Sequence, residues 1–520
     1  MIKKYYDYMA EISKDELYKG FLAHGLFADK LPPVFSGELF YEYCVSNDCK
    51  KFSKKPQDYI RYSTIRNTNV PRALGISSPF AYLQLCEILR DTWNEICNVF
   101  KDKTNNQTYK RSQLHIQKLK QKESIFEMSH DYVDRNTELE VELYNLVIMN
   151  KYQVDADISS CFPSIYSHSI AWALVGKDVA KRDRNIKSSF QNEIDKRSRN
   201  LKNGETNGLI IGPYTSNLIS ELILCSVDEK LVSKGYHYVR NIDDYRCFVQ
   251  SEDEAENFLQ DLNDALKEYE LSLNTKKTKI SHLPLPANAD WISRLNEFYI
   301  GNRFTEDEKQ VFELRRLRAY IDLTIKLAEE NSNSAVYTYM IKVVGGCILG
   351  NKALKLYIAT IRHLVCLYPY LVHWVDKYVF EAFNVSKEEI GLMAVDVYNV
   401  GLKRHIYEAC SFSLYWCLKY NLPLNVNYSN DSILSNDCIF MTLSFLVAKR
   451  QRNEKYIQDL ILKARQLAKN DFNQYWIFIY EMLSDSELPE DFKCIKREGV
   501  SFVKKEFNFD ICPQYKSSVI

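Results

Sequence analysis

Two adjacent aspartates, Asp243 and Asp244, lie between two runs of β-branched and aromatic residues in YHYVRNIDDYRCFVQ, residues 236–250. Such runs around a short polar centre read as a β-hairpin. A turn does not require two carboxylates side by side, and like charges held that close repel. The pair is tolerable if a cation sits between it and a third carboxylate. KYQVDADI, residues 151–158, supplies one: Val154, Ala156 and Ile158 alternate to one face, Asp155 and Asp157 to the other. Asp157 lies nearer the strand end, and Asp155 reads as a hydrogen-bonded strand residue. Carboxylates on neighbouring strands can converge on a pair of divalent ions. Hard oxygen ligands suit Mg²⁺, with Mn²⁺ as the alternative.

The surrounding segments give the order of elements. Residues 79–100 carry apolar residues at helical spacing after a proline start. After SSCF, Pro163 is expected to open a helix that Gly176 ends. GLIIGPYTSNLISELILCSVDEKLVSKG begins as a glycine-rich turn and becomes a long amphipathic helix from about Ser216. EDEAENFLQDLNDALKEYEL is a further helix. LSLNTKKTKI reads as a short edge strand with a basic loop, and NEFYIGNRF as another short strand. Residues 101–123 and 177–202 form two basic stretches. From about Glu306 onward, period-3.6 apolar spacing with short polar breaks reads as stacked α-hairpins without a fixed repeat length.

Composition removes some classes. Lys+Arg and Asp+Glu number 68 each, so only local basic patches can argue for nucleic acid. The 14 cysteines include no CxxC pair, and Cys86, Cys225, Cys247 and Cys366 read as buried free thiols of a reducing compartment. The Cys44–Cys49 pair lacks matching partners for a zinc site. MIKKYYDYMAEISKDELY has no apolar run typical of a signal peptide, and no apolar run reaches the roughly 18 residues of a membrane span. A cytosolic protein is expected.

YQVDADISSCFPSIYSHSIAWALVGK resembles the first catalytic motif of reverse transcriptases. GLIIGPYTSNLISELIL resembles the template- and nucleotide-positioning motif that follows. NIDD resembles the Tyr-x-Asp-Asp box, and LSLNTKKTKI the motif after it. SIYSHSIAWALVGK and the flanking layout resemble, more narrowly, the abortive-infection and defence-associated reverse transcriptases of prokaryotes.

The resemblance implies an α+β fold: right-hand polymerase fingers and palm, followed by an all-α helical-repeat domain. Its expected divisions are an N-terminal extension over 1–60, fingers and palm over 61–304, and the helical domain over 305–520. Asp157 and Asp243 are the implied metal ligands, with Asp244 as a third carboxylate and the Ile158 carbonyl beside the metal. Phe162 matches the aromatic that crowds a sugar 2′-hydroxyl, with packing beside Pro163 as the alternative. Gly212 and Pro213 would let backbone approach the templating pair, with Ser216 and Asn217 beginning the helix. Lys276, Lys277 and Lys279 match the basic motif, and Arg66, Arg72, Arg111 and Lys118 the finger positions that meet triphosphate or template; surface charge is the alternative for each. His168 is expected to be a helix histidine with a satisfied hydrogen bond.

The family likeness implies dNTPs and nucleic acid as partners: a DNA product, with a bound noncoding RNA or no template. It also implies chain initiation on a tyrosine hydroxyl, assembly into a homo-oligomer, and antiviral defence in a prokaryotic cytoplasm. Which of the 36 tyrosines would act as primer is not specified. The box departs from the family at Asn241, where Tyr or Phe is usual, which questions ordinary primer handling. Two competing readings are a degenerate polymerase that serves as an RNA- or protein-binding scaffold, and a conventional primer–template enzyme.

Overall fold

The computed structural model describes residues 5–67, 70–105, 109–112, 115–116, 126–127, 145–186, 189–286, 288–300, 311–332, 335–424 and 426–508. Lys118 lies outside them. The first hairpin pairs β1 (Ile60–Thr64) with β2 (Arg72–Ile76), antiparallel. Along β1 burial alternates, with Ile60, Tyr62 and Thr64 inward, as a strand with one solvated face requires. The expected helical run over 79–100 forms two helices, Pro79–Asp91 and Trp93–Thr104, separated at Thr92. Pro79 starts the first of them.

The central sheet contains β3 (Tyr152–Asp157), β4 (His237–Asn241), β5 (Asp244–Val249) and β6 (Lys279–His282), in the order β4-β5-β3-β6. All neighbours are antiparallel, and Asp157 stands opposite Asp244 in the register. The β4–β5 turn is two residues, Ile242-Asp243, with Ile242 at φ 56°. A β-branched residue at positive φ is strained and must be held in place.

The holding comes from Arg240, which has no solvent exposure. Its Nη1 donates to the Ile242 carbonyl at 2.9 Å and to Glu221 Oε2 at 2.9 Å. Its Nη2 donates to Asp228 Oδ2 at 2.6 Å. Glu221 and Asp228 are both 1% exposed and lie on the helix Tyr214–Ser233. Seven residues apart, they share one face of it. Tyr238 adds its hydroxyl to Asp228 at 2.9 Å. Burial raises the Asp228 carboxyl above its usual range, against the pull of the Arg240 charge. The hairpin is thereby bolted to the helix behind it.

That helix differs from the expected amphipathic one. It begins at Tyr214, directly after Pro213, and its residues are buried on nearly all sides, Ser216 included. The segment after SSCF also differs: Cys161–Ser164 forms one short turn with Pro163 inside it, and the helix proper runs Ser169–Val175. Gly176, at φ 85°, ends it as expected. The edge strand lies at Lys279–His282, later than LSLN. NEFYI belongs to the helix Asp290–Ile300 and not to a strand. An aromatic-rich pentapeptide reads as strand in isolation, but Trp291, Ile292 and Leu295, buried on one face of the same segment, set a helical period.

The C-terminal region is helical, from Leu314–Glu330 to Glu490–Arg497, with one turn of π-helix at Asp376–Glu381. A two-residue parallel pairing joins Val311–Phe312 to Ile348–Leu349, which helical spacing alone does not predict. This region packs back on the first hairpin. Glu408 accepts from Thr64 Oγ1 at 2.5 Å and from the Ile65 amide at 2.8 Å. Val503 bridges Phe35, and the Ser36 amide donates to the Phe502 carbonyl at 2.9 Å. Phe502 packs against Phe27, Phe40, Trp476 and Tyr480, so a single core joins the beginning and the end of the described chain. Cys86, Cys225 and Cys247 are buried free thiols; Cys366 is only partly buried. Among the described residues no helix is long and apolar enough to cross a membrane.

Replacing Arg240 by Met strands two buried carboxylates. The expected loss is about 3–5 kcal/mol in urea unfolding, with much of it recovered when Glu221 and Asp228 are also made apolar.

Candidate active site

The sheet brings Asp157, Asp243 and Asp244 to one end. The Ile158 amide donates to the Asp243 carbonyl at 3.1 Å, which ties the end of β3 to the hairpin tip. Asp157 is 6% exposed, whereas the Asp244 side chain keeps solvent contact at the rim. Lys277 Nζ lies 2.8 Å from Asp157 Oδ1, and Asn274 Nδ2 donates to Asp157 Oδ2 at 2.9 Å. The Asn274 amide also donates to the Asp157 carbonyl at 2.7 Å.

The charges respond to this crowding. Burial would raise the Asp157 carboxyl, but hydrogen bonds from Lys277, Asn274 and Asp244 outweigh it and hold the group below the usual carboxylate range. Asp243 is raised, first by burial and then by the Asp157 charge. Asp244 is pushed up to about 7 by partial burial, its hydrogen bond to Asp157 and the Asp243 charge. A proton on Asp244, shared with Asp157, and the Lys277 ammonium thus offset part of the negative charge at the tip.

Among the described residues no group of three or more His, Cys, Asp or Glu side chains is preassembled around a metal-sized point. The donor chemistry nevertheless fits a hard divalent cation: carboxylate oxygens only, crowded enough that one retains a proton near neutrality. Lys277 stands in for a cation at Asp157, and its side chain is 64% exposed, so it can swing away.

The other expected residues fall into three groups. Near the tip are Arg72, whose charge acts on Asp243, and Lys279, opposite Asp155 in the β3–β6 register. Lys276 and Lys279 are exposed, and Phe162 is half-buried against the core. Gly212 and Pro213 precede the central helix, but the glycine answers a protein contact. At φ 138°, a Cβ on it would meet the Gly75 carbonyl oxygen at 2.7 Å. The Gly75 amide donates to the Ile211 carbonyl at 2.9 Å, so β2 and the glycine-rich loop meet backbone to backbone.

Arg111 is the clearest departure. It is 6% exposed, donates to the Tyr236 carbonyl and the Tyr109 hydroxyl, and packs on the Tyr109 and Tyr238 rings. These anchors lie at the far end of the β4–β5 hairpin from Asp243, so Arg111 serves packing there and not a triphosphate. Ser216 is 2% exposed within the helix and Asn217 follows it inside the helix; neither starts it. Arg66 is exposed in the β1–β2 turn, its Nε near the Val70 carbonyl at 3.5 Å.

Asp155 takes hydrogen bonds from Arg246 and Gln153, and His168 Nδ1 is 2.7 Å from Asp195, as expected for satisfied residues. Sequence reasoning did not single out Asn274 or Arg240. Asn274 had a signal, since it sits in the motif beside Lys277.

Residues 92–338, just under half of the chain, match the family model described as reverse transcriptase (RNA-dependent DNA polymerase). A reverse transcriptase domain is therefore present. Among solved structures, an apo telomerase from Candida tropicalis is similar at 9% identity and a TM-score of 0.33, covering 77% of each chain. Telomerase from Candida albicans, in complex with a fragment of telomeric RNA, is similar at 12% identity and a TM-score of 0.31, covering 85% of this chain and 69% of that one. No curated protein matches the sequence.

Three outcomes are expected. Gly212→Ala forces a side chain into an unfavourable φ against backbone and should cost about 1–3 kcal/mol, read by urea unfolding. Asp244 holds a proton in the folded chain that the unfolded chain has lost above its ordinary pKa near 4. Its contribution is thus fully present below that value and is lost as pH rises through about 7. Asp157, held low, is ionised across that window and adds no slope. Between pH 5 and 8 without divalent ions, the melting temperature of Asp244→Asn should therefore rise relative to the native chain. Mg²⁺ at pH 8 should stabilise the native chain more than the variant. Parallel melting curves with and without Mg²⁺ would contradict both.

Proposed function

Starting from the reverse transcriptase domain over residues 92–338, we propose that this chain is a DNA polymerase that transfers deoxynucleotides at the Asp157–Asp243–Asp244 tip. The observation that carries the reading is the convergence of these three carboxylates, with Lys277 against Asp157, at one end of the sheet. Asp157, Asp243 and Asp244, with the Ile158 carbonyl beside them, would hold divalent cations, Mg²⁺ or Mn²⁺. Bound there, such ions lower the pKa of an attacking hydroxyl and neutralise charge on the leaving phosphate.

The residues around the tip take the following parts in this reading. Asp244, which shares a proton with Asp157, would release it if the carboxylates held a cation. Lys277, once displaced from Asp157, would meet a triphosphate, with Lys276 and Lys279 on the same segment and the Arg72 charge acting on Asp243. The Phe162 ring crowds the sugar and selects deoxynucleotides. The glycine-rich loop at Gly212–Pro213, braced on Gly75, fixes the floor on which the incoming base pair rests.

Finer features extend the reading. Asn241 replaces the usual aromatic beside the primer end, which favours initiation on a protein tyrosine over extension of an ordinary primer. Synthesis without a template or on a bound noncoding RNA, assembly into a homo-oligomer, and a role in phage defence in a prokaryotic cytoplasm go with the resemblance to abortive-infection enzymes. A scaffold reading has one observation in its favour: both carboxylate oxygens of Asp157 are engaged by Lys277 and Asn274.

The test is incorporation of single labelled dNTPs with Mg²⁺, without added primer or template, on denaturing gels with and without protease and ribonuclease. A protease-sensitive label is expected, reduced to background in Asp157→Ala and in Asp243→Ala/Asp244→Ala. Label that persists in Asp157→Ala defeats the reading. Label that appears only on an added primer–template removes the tyrosine-primed form. No label under any condition leaves the scaffold.

A further inference from the structure

The first hairpin is held on both of its edges, and the two holds stand level with each other. On the outer edge of β1, the Arg61 amide donates to Gln474 Oε1 at 3.3 Å, and the Arg61 carbonyl accepts from Gln474 Nε2 at 3.1 Å. A side-chain amide thus takes the place of a neighbouring strand and covers an edge that is otherwise open to pairing. Arg61 stands opposite Gly75 in the β1–β2 register. The Gly75 amide donates outward on the other side, to the Ile211 carbonyl at 2.9 Å. The helical C-terminal region and the glycine-rich loop therefore grip the same level of one small sheet from opposite edges.

A second hold lies nearer the β1–β2 turn. Glu408, in the first turn of the helix Tyr407–Tyr420, accepts from Thr64 Oγ1 with one carboxylate oxygen and from the Ile65 amide with the other. His373 Nε2 lies 3.1 Å from the Glu408 carboxylate and 3.5 Å from Thr64 Oγ1, and its ring meets Phe412 edge-on at 4.7 Å. The Glu408 and His373 side chains are only 6% and 8% exposed. A carboxylate so enclosed is costly unless donors surround it in fixed geometry. The contact therefore specifies where the hairpin sits, besides adding adhesion.

Little slack remains between the hairpin and the glycine-rich loop. A Cβ on Gly75 would meet Ile210 Cγ2 and the Tyr59 ring, both at 2.6 Å, so the two backbones already touch. The loop is bonded in turn to the segment that follows Asp157. The Gly208 amide donates to the Ile165 carbonyl at 2.7 Å, and the Leu209 amide to the Phe162 carbonyl at 2.8 Å. Hydrogen bonds thus lead from Glu408 and Gln474, across the hairpin, to the loop and to Phe162.

We propose that Glu408, with Gln474, positions the nucleotide site from the helical C-terminal region: the two set the height of the first hairpin, and the hairpin sets residues 209–213 and Phe162. Glu408 is then a positioning residue that touches no substrate. The proposal rests on the polymerase reading of the carboxylate tip. Asp157, Asp243 and Asp244 have supports of their own in the β3–β5 ladder and the Ile158–Asp243 hydrogen bond. Loosening the hold on the hairpin should therefore weaken nucleotide binding and leave the rate of transfer in place.

The test measures incorporation by the full chain across dNTP concentration, under whichever condition supports it. Glu408→Gln turns one of two acceptors into a donor at nearly unchanged size, and Thr64→Val removes the hydroxyl at the other end of the contact. Each should raise the KM for dNTP at least about tenfold with kcat within about twofold. The double variant should be little worse than either, because both break one contact. Thr64→Ser, which keeps the hydroxyl, should retain the native KM. Glu481→Gln is the control: Glu481 accepts from Ser501 Oγ at 3.0 Å and from the Phe502 amide at 2.7 Å, a carboxylate clamp in the same region that does not touch the hairpin. It should lower the melting temperature and leave KM unchanged. Hydrogen exchange in Glu408→Gln should quicken over residues 60–65, 72–76 and 206–213.

A native KM in both Glu408→Gln and Thr64→Val overturns the proposal. So does an equal rise in Glu481→Gln, which would mark general loosening, or faster exchange confined to the hairpin, which would break the path to the loop. No incorporation by the native chain under any condition is a separate result. It removes the polymerase reading, and this proposal with it.

Discussion

A guanidinium sealed inside the protein holds the carboxylate tip in place. Arg240 has two buried acids on the central helix and one carbonyl in the turn as partners, and the turn contains a β-branched residue at positive φ. Removing charges from water is expensive, and the pairing offsets that expense only while all partners remain in place. The result is directional: Arg240 can satisfy Glu221, Asp228 and Ile242 together only if the hairpin lies at one height on the helix. The distance between the Asp243–Asp244 tip and the end of β3 is set in turn by the β3–β5 ladder and the Ile158–Asp243 hydrogen bond. A hydrophobic contact would have stabilised the packing but tolerated sliding.

Much of this was legible in the amino-acid order. Period-2 alternation located β3 and the β4–β5 hairpin, and the acid-bearing strand end beside the paired aspartates predicted their meeting. Gly176 reads correctly as a helix stop because positive φ is a property of the residue itself. The helical character of the C-terminal region followed from its period-3.6 spacing.

The misreadings have physical causes. A charged residue in a strand pattern is read as facing water, so Arg240 was passed over; its signal was Glu221 and Asp228, two turns apart on a helix with otherwise apolar surroundings. Arg111 was placed by resemblance, but its burial comes from Tyr109 beside it and from Tyr236 and Tyr238 more than a hundred residues on. Gly212 is expected to bring backbone to a templating pair; the close approach that the structure shows is to Gly75, on another element, and no local pattern names that partner. NEFYIGNRF was judged on composition, whereas the burial of Trp291 and Leu295 upstream decided its period. In each case the deciding partner lay outside the stretch being read.

The ladder between Phe35–Ser36 and Phe502–Val503 affects how the protein is made. During synthesis the segment around Phe27, Phe35 and Phe40 emerges early, and the residues that cover it emerge only after the whole polymerase region and the helical region have been translated. Until then those rings remain uncovered on a nascent chain, which makes the early segment a natural client for chaperones. A ribosome that stops before Phe502 releases a chain whose early segment is left without this cover.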